Sequence, residues 1–326
     1  MTYILPLKFI QEVIKYSRVD YFYSMKLPPF LLPGNTIGIA CPAGYMPTER
    51  AEFCVKTLKK WGYKVVKGKT LGGKSKNYFS GTDQERLEDL QRMLDDDKIH
   101  AVLFGRGGYG TSRILDQLDW KKFKKHPKWI IGFSDITVLH GYMHQQLQIA
   151  SIHGPMAGAF NHDEGNNRYI NSLKDSLEGK PTIYLSKAQD SNRLGKAKAA
   201  LVGGNLSLLV HSIGTNAELN TDGKILFIEE IGEQLYHIDR MLLQLARAGK
   251  LKKIKGLIIG GFSECKDTLR PFGKNLNQII LDAVQAYRFP VCFDFPISHE
   301  IENVAVIIGK EYTLEVGADQ VTLSSI

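Results

Sequence analysis

The sequence predicts an α/β protein of two domains: an N-terminal domain built on a parallel sheet, and a smaller mixed α/β domain after it. Three observations carry that expectation. The chain has 326 residues, more than one hydrophobic core usually serves, and 43% of them are apolar, enough to bury two cores. From Thr36 onward, short apolar runs alternate with amphipathic ones four times in succession, the pattern of parallel strands covered by helices on both faces. The C-terminal part is less regular and closes on three short β-type runs.

Taken in order, 36–40 reads as a strand, 49–61 as a helix, 64–66 as a strand, 83–94 as a helix, 101–104 as a strand, 111–118 as a helix, 129–133 as a strand and 136–146 as a helix. Residues 25–185 are assigned to this first domain. A polar stretch at 186–193 opens a linker over 186–198. The second domain spans 199–326 and is entered through Gly203-Gly204-Asn205-Leu206. Its strands are expected at 224–228 and 256–260, its helices at 236–248 and 276–287, and its closing strands at 304–308, 312–316 and 321–323. Residues 1–24, rich in Tyr and Phe, read as an N-terminal extension ahead of Met25. In a parallel α/β sheet, functional residues gather at the carboxyl ends of the strands.

The formal net charge is +8, but the basic residues are scattered. The clusters at 121–125 and 250–253 read as solvated faces, not a nucleic-acid groove, while a small anionic substrate suits the balance. Cys41, Cys54, Cys265 and Cys292 are far apart, without Cys-x-x-Cys spacing, and read as buried thiols of a reducing compartment. No apolar run approaches the roughly 20 residues that span a bilayer, and Lys8, Glu12, Lys15 and Arg18 break up any signal-peptide core. A cytoplasmic protein with no membrane or nucleic-acid partner is expected.

Chemistry concentrates in a few places. The run Trp129-Ile130-Ile131-Gly132-Phe133-Ser134-Asp135-Ile136 is an apolar strand that turns straight into a helix. A side chain at such an apex is held clear of the sheet, and the amides opening the helix can stabilise an oxyanion. Ile136 replaces the second glycine of the hydrolase elbow Gly-x-Ser-x-Gly, and alone the run favours a helix cap over a nucleophile. Gly105-Arg106-Gly107-Gly108-Tyr109-Gly110 formally satisfies Gly-x-Gly-x-x-Gly, yet the next strand does not end in the acidic residue that would hold a ribose. The loop is then a tight turn or, beside Ser134, a source of oxyanion-binding amides. A serine nucleophile needs a base and the base an orienting carboxylate. Glu229 and Glu230 end an apolar strand, and period-two alternation sends one of them inward. His299 stands in a turn after a strand-like run at 291–295. His140 and His144 share one helix face near His153, but with neither His-Glu-x-x-His nor a third ligand, so no metal and no cofactor are expected.

These pieces as a set, with His-Gly-Pro-Met at 153–156, Ile-Glu-Glu-Ile-Gly-Glu at 228–233, Ile-Asp-Arg-Met-Leu at 238–242 and Phe-Pro-Ile-Ser-His at 295–299, resemble the serine LD-carboxypeptidases from Met25 to the end. The family includes murein tetrapeptide carboxypeptidase and the microcin C immunity peptidase. The resemblance implies a flavodoxin-like N-terminal domain, a triad completed across the domain boundary, and a homodimer. It makes Ser134 the nucleophile, His299 the base and Glu229 the orienting carboxylate, with Glu230 as the fallback. The amide of Asp135 and one from Gly107 or Gly108 would form the oxyanion hole, and Arg106, Tyr109, His153 and Arg240 are candidate substrate contacts. Ser298 stands where the family commonly has glycine, and residues 1–24 have no counterpart.

The expected reaction is metal-independent hydrolysis of the bond between an L-centre and a terminal D-amino acid. The substrate would be a muropeptide tetrapeptide losing D-alanine during cytoplasmic murein recycling. A peptidyl-nucleotide antibiotic of the microcin C type is the alternative within the family, with Tyr109 or Tyr236 stacking on a base. A nucleotide-binding regulatory module is the alternative from another class.

Overall fold

The structure, a computed structural model, describes residues 25–165 and 167–325, so the expectation for 1–24 lies outside the described residues. In chain order its elements are β1 (Thr36–Ala40), α1 (Glu52–Lys60), β2 (Lys64–Lys67), α2 (Asp83–Asp95), β3 (Ala101–Phe104), α3 (Lys121–Lys125), β4 (Trp129–Gly132), α4 (Thr137–Tyr142), β5 (Ser151–His153), α5 (Arg168–Leu177) and β6 (Thr182–Lys187). Then follow β7 (Gly195–Asn205), α6 (Leu206–His211), β8 (Ile225–Ile231), α7 (Leu235–Arg247), β9 (Gly256–Ser263), α8 (Leu276–Ala283), β10 (Val291–Cys292), β11 (Val306–Ile308), β12 (Glu311–Val316) and β13 (Gln320–Ser325).

One six-stranded sheet runs β11-β5-β4-β3-β1-β2 and one seven-stranded sheet runs β10-β9-β8-β7-β12-β13-β6. Strands β1 to β5 are mutually parallel, and every residue of β3 and β4 is buried because helices cover both faces. Ile37, Leu103, Trp129 and Ile131 pack into one core layer, and Val102, Phe104 and Ile130 into the other. In the second sheet β7 to β10 are parallel, whereas β12, β13 and β6 pair antiparallel. These antiparallel strands alternate buried with more exposed residues, as a sheet with one wet face requires.

Three strands depart from the expected boundaries, and one of them, β7, already begins at Gly195 inside the expected linker. β6, read as the end of the first domain and the start of a linker, is the outer strand of the second sheet. β11, read as part of the second domain, returns to the first sheet, where Val306 to Ile308 lie antiparallel to β5 with all three residues buried. Alternation in sequence reveals a strand but not its partner, and the free edge of β5 is what these apolar residues cover. The helix expected at 111–118 is instead two 3₁₀ turns, Thr111–Arg113 and Leu115–Gln117. The segment is short, and its N–H groups bond three residues back, Ile114 to the Thr111 carbonyl at 3.2 Å and Gln117 to the Ile114 carbonyl at 3.1 Å, which is the tighter 3₁₀ pattern. The helix expected at 136–146 is a composite of a 3₁₀ turn (Ser134–Ile136), α4 and a π turn (Met143–Leu147).

The two sheets meet at Gly204, in β7. Its φ is +148°, and a Cβ there would sit 2.6 Å from both Cγ2 and Oγ1 of Thr137, in the helix behind Ser134. The same threonine hydroxyl accepts the Asn205 N–H at 3.1 Å. Gly204→Ala is therefore expected to destabilise the protein by about 1–3 kcal/mol, through overpacking and backbone strain. Denaturant unfolding tests it: an unchanged midpoint would mean that the helix and β7 can separate without loss.

Candidate active site

Strand β4 delivers the serine. Phe133 is extended, and Ser134 then takes φ +61°, the left-handed region that costs a non-glycine residue about 1–3 kcal/mol. Two buried side chains hold this bend. Asp135 anchors it to the glycine loop through Thr111, and burial raises its carboxyl pKa against the opposing hydrogen bonds from Thr111. His140 bonds the Gly132 carbonyl through Nε2 at 2.8 Å and Ser151 Oγ through Nδ1 at 2.8 Å. A carbonyl only accepts, so Nε2 carries the proton and the Ser151 hydroxyl donates to Nδ1. Burial pushes the His140 pKa down to about 4, which keeps the ring neutral. His140 thus supports the bend, while His144 lies in the π turn that follows α4, where burial likewise takes its pKa down to about 4.

The glycine loop is pressed against that bend. A Cβ on Gly107 would lie 2.9 Å from Ser134 Cβ, 3.0 Å from its Oγ and 3.5 Å from the Asp135 nitrogen, so only glycine fits beside the serine. Gly108 faces away, toward the Tyr78 hydroxyl. The Gly107 carbonyl accepts the Gly44 N–H at 3.2 Å, and a trans peptide then turns the Gly108 N–H to the opposite side. Arg86, fully buried, ties the loop down by donating to the carbonyls of Gly110, at 2.9 Å, and Pro42.

The two adjacent glutamates of β8 have different surroundings. Glu229 is 0% exposed, and its Oε2 lies 2.5 Å from His299 Nδ1. Glu230 accepts from Asn205 Nδ2 at 2.8 Å, Ser207 N at 2.8 Å, Ser207 Oγ at 2.5 Å and Ile231 N at 2.9 Å. It fastens the start of α6 and leaves the imidazole to its neighbour. His299 sits in a turn organised by Ser298, whose hydroxyl donates to the Glu302 carbonyl at 2.9 Å and accepts the Glu300 N–H at 3.0 Å. The serine in place of glycine is thus part of the turn. Burial disfavours the His299 imidazolium, but the bonded Glu229 carboxylate outweighs it and holds the pKa above 6.5. Burial in turn raises the Glu229 pKa, opposed by His299. Among the described residues no hydrogen bond joins Ser134 Oγ to His299; the ring of Phe133 meets the imidazole edge-on at 4.9 Å.

Beside His299 lies a cavity of about 400 Å³, walled by Phe133, Gly105, Arg106, Met156 and Ile301, with Arg50 and Asn167 also on its lining. Of the expected substrate contacts, Arg106 lines this cavity. Tyr109 is 46% exposed outside it and packs on Phe79 at 5.9 Å. Arg240 is exposed on α7, over the Tyr236 ring at 5.6 Å. His153 is corrected: it is 0% exposed, flanked by the rings of Phe227 at 4.9 Å and Phe133 at 5.8 Å, and does not reach the cavity. Arg50, Asn167 and Phe133 escaped sequence reading. Arg50 falls within the expected helix 49–61 but stands in a 3₁₀ turn, Thr48–Ala51, that packs against Ala157–Gly165, the segment following β5.

Comparison with known proteins places the chain. Residues 37–154 match the LD-carboxypeptidase N-terminal domain and residues 198–314 the LD-carboxypeptidase C-terminal domain. A Bacillus subtilis protein named probable murein peptide carboxypeptidase is 37% identical over 287 residues, 87% of this chain and 90% of that one. The murein tetrapeptide carboxypeptidase of Pseudomonas aeruginosa is 29% identical, over 86% of this chain and 92% of its own. The crystal structure of muramoyltetrapeptide carboxypeptidase from Oxalobacter formigenes superimposes with a TM-score of 0.80 at 30% identity, covering 89% of this chain and 98% of that one. The structure of MccF in complex with glutamyl sulfamoyl guanosine also reaches 0.80, at 21% identity over 92% of this chain and 98% of that one, a likeness of fold.

Proposed function

The chain belongs to the LD-carboxypeptidase family as a serine-type peptidase, and from that premise we propose that Ser134, His299 and Glu229 carry the hydrolysis. The observation behind this reading is the hydrogen bond that His299 Nδ1–H donates to the buried Glu229 carboxylate, which leaves Nε2 as the basic nitrogen. Ser134 Oγ attacks the carbonyl carbon of the penultimate residue while its proton passes to Nε2. The amides of Asp135 and of the Gly107–Gly108 segment receive the negative oxygen. The C–N bond then breaks, and the imidazolium gives its proton to the departing amine. Water, deprotonated by the same imidazole, attacks the acyl ester and restores the serine.

The substrate class proposed is a muropeptide whose last residue is D-alanine on an L-centre, with the protein acting as a homodimer in cytoplasmic peptidoglycan recycling. The names of the relatives and the net charge of +8, which suits an acidic peptide, support this. Among the described residues no helix is long and apolar enough to cross a membrane. The test is the purified protein with L-Ala-γ-D-Glu-(diamino acid)-D-Ala, followed by mass spectrometry. Loss of one alanine is expected; cleavage only of an aminoacyl-nucleotide would move the protein to the microcin C branch.

The electrostatics set a pH dependence. Only the free imidazole accepts the serine proton, so kcat/KM rises as pH passes the His299 pKa. Glu229 holds that pKa above 6.5, and the midpoint of the acid limb is expected above 6.5. In Glu229→Gln burial acts without the compensating charge, so the midpoint of the residual activity moves down. A limb that stays in place in this variant belongs to another group.

A further inference from the structure

Hydrolysis by this arrangement assigns direction to the surrounding space. His299 must hand its proton to the departing amine, so the leaving residue lies on the side of the serine that His299 occupies. The cavity walled by His299 and Phe133 is therefore where the last residue of the peptide sits. A larger groove, about 1270 Å³, runs between α2 and the segment around residues 69–82, and its lining contains none of Ser134, Glu229 or His299. The cavity by His299, about 400 Å³, is the smaller space, as suits a single leaving residue.

Two arginines line that cavity, Arg50 and Arg106, against one acidic residue, Glu300. They come from different places: Arg50 from the turn Thr48–Ala51 ahead of α1, Arg106 from the glycine loop itself. Arg106 is braced, its Nη1 donating to the Tyr45 carbonyl at 3.2 Å and its Nε packed over Gly44, where a Cβ would come within 3.2 Å. The backbone beneath Arg50 is held as well, since its carbonyl accepts from Asn161 Nδ2 at 2.7 Å. Neither side chain has a salt-bridge partner among the described residues. A free α-carboxylate is the anion that a peptide's last residue brings into such a pocket, and guanidinium pairs it through paired N–H donors.

We infer that Arg50 and Arg106 anchor the free carboxylate of the leaving residue and so restrict this enzyme to the chain terminus. The inference rests on the proposed triad, because His299 is what orients the pocket. It adds a specificity device that neither the triad nor the glycine loop supplies.

The experiment compares the tetrapeptide ending in free D-alanine with the same peptide ending in D-alaninamide, for the wild type, Arg50→Gln, Arg106→Gln and the corresponding lysine variants. The wild type is expected to prefer the free acid in kcat/KM by about 10- to 100-fold, the range of a charged hydrogen bond. Each glutamine variant loses most of that factor on the acid, chiefly in KM, so that the acid-to-amide ratio falls toward one. Each lysine variant recovers part of it. Both arginines are exposed, and unchanged melting temperatures exclude misfolding as the cause. A wild type indifferent to amidation, or variants that lose activity equally on both peptides, overturns the anchor while leaving the triad standing. A wild type that cleaves neither peptide overturns the peptidase reading of the site, and the anchor with it.

Discussion

Replacing Ser134 with alanine is expected to lower kcat by about 10⁴- to 10⁶-fold, and His299→Ala by a similar factor, with the double variant little worse than either. In the proposed mechanism the two side chains act in one proton-coupled step, so once one is gone the other has nothing left to do. Residual turnover would come from the amides of Asp135 and the glycine loop and from substrate binding. Stability supplies an independent readout. Ser134 holds φ +61°, which alanine tolerates no better than serine, so Ser134→Ala should unfold close to the wild type. Ser134→Gly should be equally inactive but more stable by about 1 kcal/mol, because glycine accepts that backbone without strain. Near-normal activity in Ser134→Ala would remove the serine mechanism; a Ser134→Gly variant no more stable than the wild type would mean that the bend stores no strain.

What the sequence made legible follows from what local patterns can encode. The central strands of the first sheet were readable because burial on both faces leaves near-continuous apolar runs such as Ala101-Val102-Leu103-Phe104. The bend at Ser134 was readable because an apolar strand stops abruptly before a helix. β5 and α5 were not anticipated. β5 is a three-residue strand whose buried His153 and Ser151 look polar in sequence, and the amphipathic face of α5 sits in a stretch with no chemistry to draw attention. β6, read as a domain end and polar linker, was not anticipated as a strand, and the placing of β11 depended on which edge it meets, a long-range choice that alternation does not encode. The same limit applies at the site. The pairing of Glu229 with His299 was expected through motif resemblance, since 70 residues separate them. Arg50 carried no local signal at all.

Glu229 and Glu230 separate function from architecture, although both are buried and adjacent in one strand. Glu229→Gln is expected to lower kcat by about 10²- to 10⁴-fold with little change in stability. The amide still fills the space beside His299 but carries no charge to stabilise imidazolium, and its NH₂ group can face Nδ1 and favour the wrong tautomer. Glu230→Gln acts elsewhere. The carboxylate accepts four hydrogen bonds, from Asn205, from the amide and hydroxyl of Ser207, and from Ile231. An amide presents one oxygen as acceptor and turns an NH₂ donor toward groups that themselves donate, so about 1–3 kcal/mol of stability should be lost as buried donors go unpaired. Its effect on kcat should be smaller, arising only as α6 loosens against the helix behind Ser134. Measuring kcat and the unfolding free energy for both variants distinguishes the roles. If Glu230→Gln proved the more damaging to kcat at wild-type stability, the charge of Glu230 and not that of Glu229 would govern the imidazole, and the hydrogen bond at His299 Nδ1 would be incidental to the reaction.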